Sequence, residues 1–262
     1  MPALSDLAKS PFVKFLFVGN SGAGKTGALT SLVQAGYKLR ILDLDAGLDA
    51  LTYHIKASCP DKIGNVSFMT FRDVYKSGPT GPVCLAPKAF ANAVRAMDKW
   101  EDETVPAAWG SDTIFVLDSL TALGTAALAW AKQMLAGSKL AEEKRQWYQG
   151  AQDAIEHVIQ TLTGPEFRSN VIIISHIDLR EDPNGTVRGY ASSVGAALGP
   201  KLPRYFNTML LAETSGIGAT VRRKIKTLPT GLLDLKNPAP NLISAEYPLE
   251  TGLAEIFRNL KS

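Results

Sequence analysis

Apolar residues along this chain come in short unbroken runs, each followed by a polar or glycine-rich break and then by apolar positions at helical spacing. Residues 12–18 form the first run. A glycine-rich loop follows, then a helix predicted over 27–35 and closed by Gly36, then a buried strand over 38–44 that ends in acids. Further strands are predicted at 66–71, at 113–117 ending in Asp118-Ser119, and at 171–174, where Val171-Ile172-Ile173-Ile174 reads as a strand covered on both faces. Helical patterns over 88–100, with Phe90, Val94 and Met97 in step, and over 120–163, broken at Gly137-Ser138, alternate with these strands. The order predicts an α/β fold with a mostly parallel central sheet flanked by helices.

The rest of the chain reads as less regular. Gly and Pro recur over 77–87, which predicts a loop or mobile flap, and Asp182-Pro183-Asn184-Gly185 marks a turn inside a long surface loop over 180–199. Strands are predicted at 207–212 and 219–227. Pro229, Pro238, Pro240 and Pro248 then punctuate an irregular tail over 228–262 that holds a short helix at 253–260. A chain of 262 residues suits one domain, residues 1–262, with no internal repeat. The net charge of +3 permits nucleic acid as a partner without selecting it. Cys59 and Cys84 have neither zinc-ligand spacing nor a disulfide framework, and two idle thiols suit a reducing cytoplasm. Acidic Asp6 and Lys14, which interrupts the first apolar run, point away from export, and no run reaches membrane-spanning length.

Gly19-Asn20-Ser21-Gly22-Ala23-Gly24-Lys25-Thr26 fits the pattern G-x-x-x-x-G-K-[ST] and directly follows a predicted strand. In that context the glycines let the backbone wrap a phosphate chain, Lys25 brings charge to the terminal phosphates, and the Thr26 hydroxyl ligates Mg²⁺ as Gly27 and the helix follow. A nucleoside triphosphate, taken as ATP, is the implied ligand. Ligands of open α/β sheets bind outside the carboxyl ends of the parallel strands, which gathers Lys25, Asp45, Asp118 and His176 at one edge. Asp118 reads as the acid that holds Mg²⁺, or else as a cap on the next helix. Ser119 stands where many P-loop motors place a water-activating Glu, so the base comes from elsewhere. Asp43 and Asp45 end the strand after the P-loop helix on one face; Asp45 lies nearer the phosphates and reads as the general base, or else as a turn acid. His176 reads as a sensor of the terminal phosphate, or else as a hydrogen-bonded edge histidine.

These motifs, with Ile41-Leu42-Asp43-Leu44-Asp45-Ala46-Gly47-Leu48-Asp49, Leu117-Asp118-Ser119-Leu120-Thr121-Ala122-Leu123 and Ile173-Ile174-Ser175-His176-Ile177, resemble the successive core motifs of RecA-like recombination ATPases over about residues 12–227. More narrowly, the chain resembles short phage-encoded RecA-like ATPases associated with single-strand annealing and recombination. The resemblance implies an ATP hydrolase that binds single-stranded DNA, forms a homo-oligomeric filament or ring with ATP between subunits, and has a single-strand-binding or annealing protein as a possible partner. It sets Asp45 where the family usually has a catalytic Glu and His176 where it has a coupling Gln. Residues 180–199 then correspond to one DNA-facing loop and the polar stretch after Thr121 to the other. It further implies that a basic residue among Arg222, Arg223, Lys224 and Lys226 reaches the γ-phosphate of a neighbouring subunit. Tyr53 falls near the adenine-stacking position, with core packing as the other reading. Residues 180–226 carry eight Lys or Arg against three acids. Of these, Arg180, Arg188, Lys201 and Arg204 are candidate DNA contacts with Tyr190 or Tyr205 available to stack a base, against the alternative of a solvated basic surface. Two other readings stay open: an ATP-dependent switch or loader acting on a replication or recombination protein, and a small-molecule kinase.

Overall fold

Strands that are apolar at every position bury both faces, and their alternate side chains feed two separate cores. The computed structural model describes residues 10–79, 81–181 and 183–261, so Asp6 and Asp182 lie outside the described residues. Its main sheet is formed by β1 (Lys14–Gly19), β2 (Lys38–Asp43), β3 (Val66–Thr70), β6 (Gly110–Asp118), β7 (Ser169–Ser175), β10 (Thr208–Ser215), β11 (Arg222–Lys226) and β12 (Glu246–Pro248). The order is β12-β11-β10-β1-β7-β6-β2-β3; the six strands from β10 to β3 are parallel, and β11 and β12 close one edge antiparallel.

Leu16, Val18, Phe115, Leu117, Val171 and Ile173 face α4 (Ala89–Asp98), α5 (Leu120–Leu135) and α6 (Lys144–Thr163). Their neighbours Phe15, Phe17, Ile114, Val116, Ile172 and Ile174 face α1 (Lys25–Ala28), α2 (Thr30–Gln34), α3 (Asp49–Ser58) and α7 (Leu249–Lys261). On this second side Phe257 of α7 is fully buried and meets Phe15 and Tyr37 edge-on, with ring centroids 6.1 and 5.0 Å away. Truncating it leaves a cavity that rigid strands cannot close. Phe257→Ala is therefore expected to lower stability by about 3–5 kcal/mol, read as a fall in the urea midpoint at unchanged slope.

Four segments differ from the sequence reading. The single helix expected over 27–35 begins at Lys25 and is interrupted at Leu29, whose N–H bonds Thr26 O at 3.2 Å in a tighter, three-residue step. Residues 77–87, expected to be irregular, hold most of a hairpin, β4 (Tyr75–Gly78) with β5 (Gly81–Cys84), because Gly78 and Gly81 flank its turn. Residues 180–199 are not a continuous loop: β8 (Ile177–Glu181) and β9 (Val187–Ala191) form a second hairpin around the Asn-Gly turn, and a 3-10 segment over Gly199–Tyr205 follows. The tail is less irregular than its prolines suggest, since β12 joins the main sheet and α7 starts directly after Pro248. Among the described residues no helix is long and apolar enough to cross a membrane.

Candidate nucleotide site

The P-loop leaves β1 at Gly19 and enters α1 at Lys25. Gly24 has a positive φ of 88°, and a Cβ there would lie 2.6 Å from Leu249 Cδ2, so backbone geometry and space both require glycine. Lys25 is 6% exposed and donates to Gly19 O at 2.8 Å and Asn20 O at 3.0 Å. Burial lowers its pKa, while Asp118 and Asp45 pull it back up. Asp118 ends β6, and its Oδ2 accepts from Thr26 Oγ1 at 2.7 Å. The peptide that follows is cis, and Ser119 rather than Asp118 caps α5, its Oγ accepting from Ala122 N at 3.2 Å.

Thr26 and Asp118 thus present two hard oxygen donors beside the phosphate cradle, a set that fits Mg²⁺, which takes one or two protein oxygens and completes its shell with water and phosphate. Among the described residues no cluster of three His, Cys, Asp or Glu forms a metal cage. Burial, then the nearby Asp45 and Asp43, push Asp118 up to about 6 from an ordinary 3.8, against the lowering effects of Thr26 and Lys25. Holding this proton stabilises the folded chain fully below pH 3.8, and that contribution is gone once pH has risen through about 6. Metal binding needs the opposite form. Mg²⁺-dependent nucleotide affinity is therefore expected to be flat above about pH 6, and to fall roughly tenfold per unit below it, in titrations of a fluorescent ATP analogue with and without Mg²⁺. An equal pH response without metal would contradict this.

The two acids at the end of β2 separate in the fold. Asp43 is buried and satisfies its own turn: Oδ1 accepts from Ala46 N at 2.8 Å and Oδ2 from Thr70 Oγ1 at 3.2 Å. Asp45 has no such tie. Its Oδ2 lies 3.7 Å from His176 Nε2, and both side chains are about one-third exposed. Burial and then Lys25 lower the His176 pKa, with Asp45 opposing, which favours the neutral imidazole. The His176 N–H donates to Thr121 Oγ1 at 3.1 Å, and its carbonyl accepts from Ser192 N at 2.7 Å. The residue is held between the first turn of α5 and the end of the β8–β9 hairpin.

The remaining predicted residues are dispersed. Arg223 lies on the P-loop side of β11, its Cδ 3.3 Å from where a Gly24 Cβ would stand, so it borders its own chain's phosphate loop. Lys224 pairs with Glu246 at 2.7 Å and Lys226 with Glu213 at 2.9 Å, whereas Arg222 is exposed and forms no ion pair among the described residues. Tyr53 is 71% exposed, which removes it from the core. The next residue, His54, lines a cavity of about 420 Å³ that runs from the P-loop glycines between α1 and α3 and is bordered by Arg223 and Glu250. Thr30 also lines it, with an Oγ1 that is buried and without a hydrogen-bond partner. The sequence did not point to His54, Thr30 or Glu250 as lining residues; the packing of α3 against α1 brings His54 beside Gly27.

Arg180 is committed within its hairpin, bonding Asp178 at 2.7 Å and the Ala196 carbonyl and lying over the Tyr190 ring. Arg188 is exposed, 4.0 Å from Asp234. Lys201 and Arg204 sit on the 3-10 segment that leads into the start of β10, and Tyr205 bonds Glu156. Thr208 at that start pairs near Phe15, whereas Gly19 pairs with Ala212, so Arg204 and Tyr205 approach the edge opposite the P-loop.

Solved structures similar to this chain include a KaiC-like protein from Pyrococcus horikoshii OT3 (12% identity, TM-score 0.42, covering 82% of this chain and 78% of that one). The flagellar accessory protein FlaH from Methanocaldococcus jannaschii is similar at 11% identity and TM-score 0.41, covering 92% and 87%. An ATPase of the type III secretion system of pathogenic bacteria is similar at 12% identity and TM-score 0.43, covering 77% and 51%. No curated protein sequence matches significantly. The sequence model of the AAA domain family matches residues 12–239, which takes in the P-loop, the strand-end acids and the hairpin after His176. On that match, and with a P-loop set in a mostly parallel sheet, the chain belongs to the AAA domain family.

Proposed function

We propose that the protein is a Mg²⁺-dependent ATP hydrolase that binds single-stranded DNA in recombination or strand annealing of the phage type, and that it works as a homo-oligomer with ATP between subunits. The observation that carries the hydrolytic part is the convergence at one sheet edge of Lys25, the Thr26–Asp118 pair and the Asp45–His176 pair. Thr26 and Asp118 would hold Mg²⁺, which when bound neutralises charge on the phosphates. Lys25 adds charge at the terminal phosphate. Asp45, free of its own turn, takes a proton from the attacking water. His176, tied by its backbone to α5 and to the β8–β9 hairpin, passes the state of that site to the hairpin.

Support for an intersubunit site comes from β11: Lys224 and Lys226 are neutralised within the chain, whereas Arg222 and Arg223 are exposed and form no ion pair among the described residues, and Arg222 is the one of these not set against its own phosphate loop. The cavity lined by His54 is the place for the base of ATP, with His54 in the role first given to Tyr53. For DNA, Arg188 on the hairpin and Lys201 remain, while Arg180 is held by its own chain.

The test is ATP turnover with and without a single-stranded oligonucleotide, together with DNA affinity across a salt series. Turnover is expected to rise with DNA, and log affinity to fall by about 0.7 per phosphate contacted for each decade of salt. Salt-insensitive or absent binding with ATP and Mg²⁺ present removes the DNA part. The contact of Asp45 with His176 favours a second reading, an ATP-dependent switch or loader with slow hydrolysis. In that case turnover stays low with DNA and changes when a replication or recombination protein is added.

A further inference from the structure

A second cavity of about 420 Å³ opens beside the nucleotide site, outside the carboxyl ends of β2 and β3. Its size falls within the range that holds a small organic ligand. Asp45 and His176 form the wall it shares with the nucleotide site; Phe71, Asp73 and Tyr75 form part of the remaining wall.

Three features of that remaining wall specify chemistry. The first is an unspent acceptor. Asp73 Oδ1 caps α4, accepting from Lys88 N at 2.8 Å and Ala89 N at 2.9 Å, whereas Oδ2 is buried and has no hydrogen-bond partner. A carboxylate oxygen in that state is unfavourable until an N–H or O–H donor reaches it. The second is aromatic surface, Phe71 partly buried and Tyr75 half exposed. Tyr75 stands on the β4–β5 hairpin, whose strands pair only with each other, so its ring can turn aside without breaking the main sheet. The third is Arg72, which lines the same cavity, is exposed and forms no ion pair among the described residues.

Stacking surface, a buried acceptor and an adjacent free guanidinium are the groups that hold one unstacked nucleotide, through its ring, its exocyclic amine and its phosphate. We infer that this cavity is a base-selective subsite for single-stranded DNA, which takes one extruded base bearing an exocyclic amino group. Cytosine donates from N4 to a carboxylate, whereas thymine turns its O4 acceptor toward it. The inference rests on the single-stranded DNA reading above and adds to it a sequence preference and a route of coupling. A base in the cavity touches Asp45 and His176, the residues beside the terminal phosphate.

The test uses the full chain with Mg²⁺ and a non-hydrolysable ATP analogue, and reads affinity for labelled oligo(dC) and oligo(dT) by fluorescence anisotropy at one salt concentration. Oligo(dC) is expected to bind about tenfold more tightly than oligo(dT). Asp73→Asn keeps the capping oxygen but presents a donor in place of Oδ2, which opposes cytosine N4 and suits thymine O4; it should weaken oligo(dC) about tenfold and leave oligo(dT) at or above its wild-type affinity, which also shows the variant to be folded. Tyr75→Ala should weaken both oligomers about tenfold. Equal wild-type affinities, or a preference that survives Asp73→Asn, overturn the subsite while DNA binding stands. If neither oligomer binds, the DNA reading and the subsite fall together.

Discussion

Lys25→Ala is expected to reduce ATP turnover on the order of 10²–10³-fold, measured as phosphate release at saturating Mg²⁺ and nucleotide. The ammonium is buried and fixed by two carbonyls of its own loop, which under the proposed mechanism preorganises it where negative charge grows on the transferred phosphate. Its loss has a second, separable effect. Lys25 is one of the groups that hold the Asp118 pKa down, so without it the pH midpoint for Mg²⁺-dependent binding should move above about 6. A variant that loses turnover with no change in that midpoint would place the ammonium too far from Asp118 to act on it.

Asp45→Asn is expected to slow hydrolysis by about 10²–10⁴-fold while nucleotide binding changes little, in single-turnover measurements beside equilibrium titration. The amide keeps the shape of the side chain and cannot take a proton from water. Asp45→Glu should retain most of the activity or raise it, because one more methylene extends the carboxylate toward the phosphate edge. Unchanged hydrolysis in Asp45→Asn would move the base elsewhere, and Asp43 is poorly placed to replace it, since one of its oxygens accepts a hydrogen bond from its own turn and the other from Thr70 on the neighbouring β3.

How far the site was legible depends on the range of the interaction that sets each part. The apolar runs of β1, β6 and β7 announce strands because every position is buried, a property each segment carries in itself. The Gly-Pro stretch over 77–87 and the polar stretch over 180–199 mislead for the same reason. Each holds strands that pair only with a neighbour in a two-stranded ribbon and are exposed or half-exposed at most of their described positions, so no apolar run marks them. Tyr53 and His54 are adjacent in sequence, and which of them faces the P-loop is decided by the rotation of α3 against α1, since a step of one residue turns a helical side chain by about 100°. The basic run of β11 divides similarly. Arg223 and Ile225 face the P-loop helix, while Lys224 and Lys226 face Glu213 on the adjoining strand.

By itself the sequence determined the phosphate loop, the α/β order of elements and the kinds of residue that end each strand, because turn chemistry and hydrophobic periodicity act over a few residues. The tertiary structure alone decided which acid at the end of β2 is spent on its turn and which is free, and which cations are neutralised. It also decided that Arg204 lies toward the far edge and that a second cavity opens beside Asp45. Apart from the bond of Asp43 to Ala46 in its own turn, each of those outcomes depends on a partner tens to more than a hundred residues away or on the rotation of one element against another, and neither is written in a local stretch of chain.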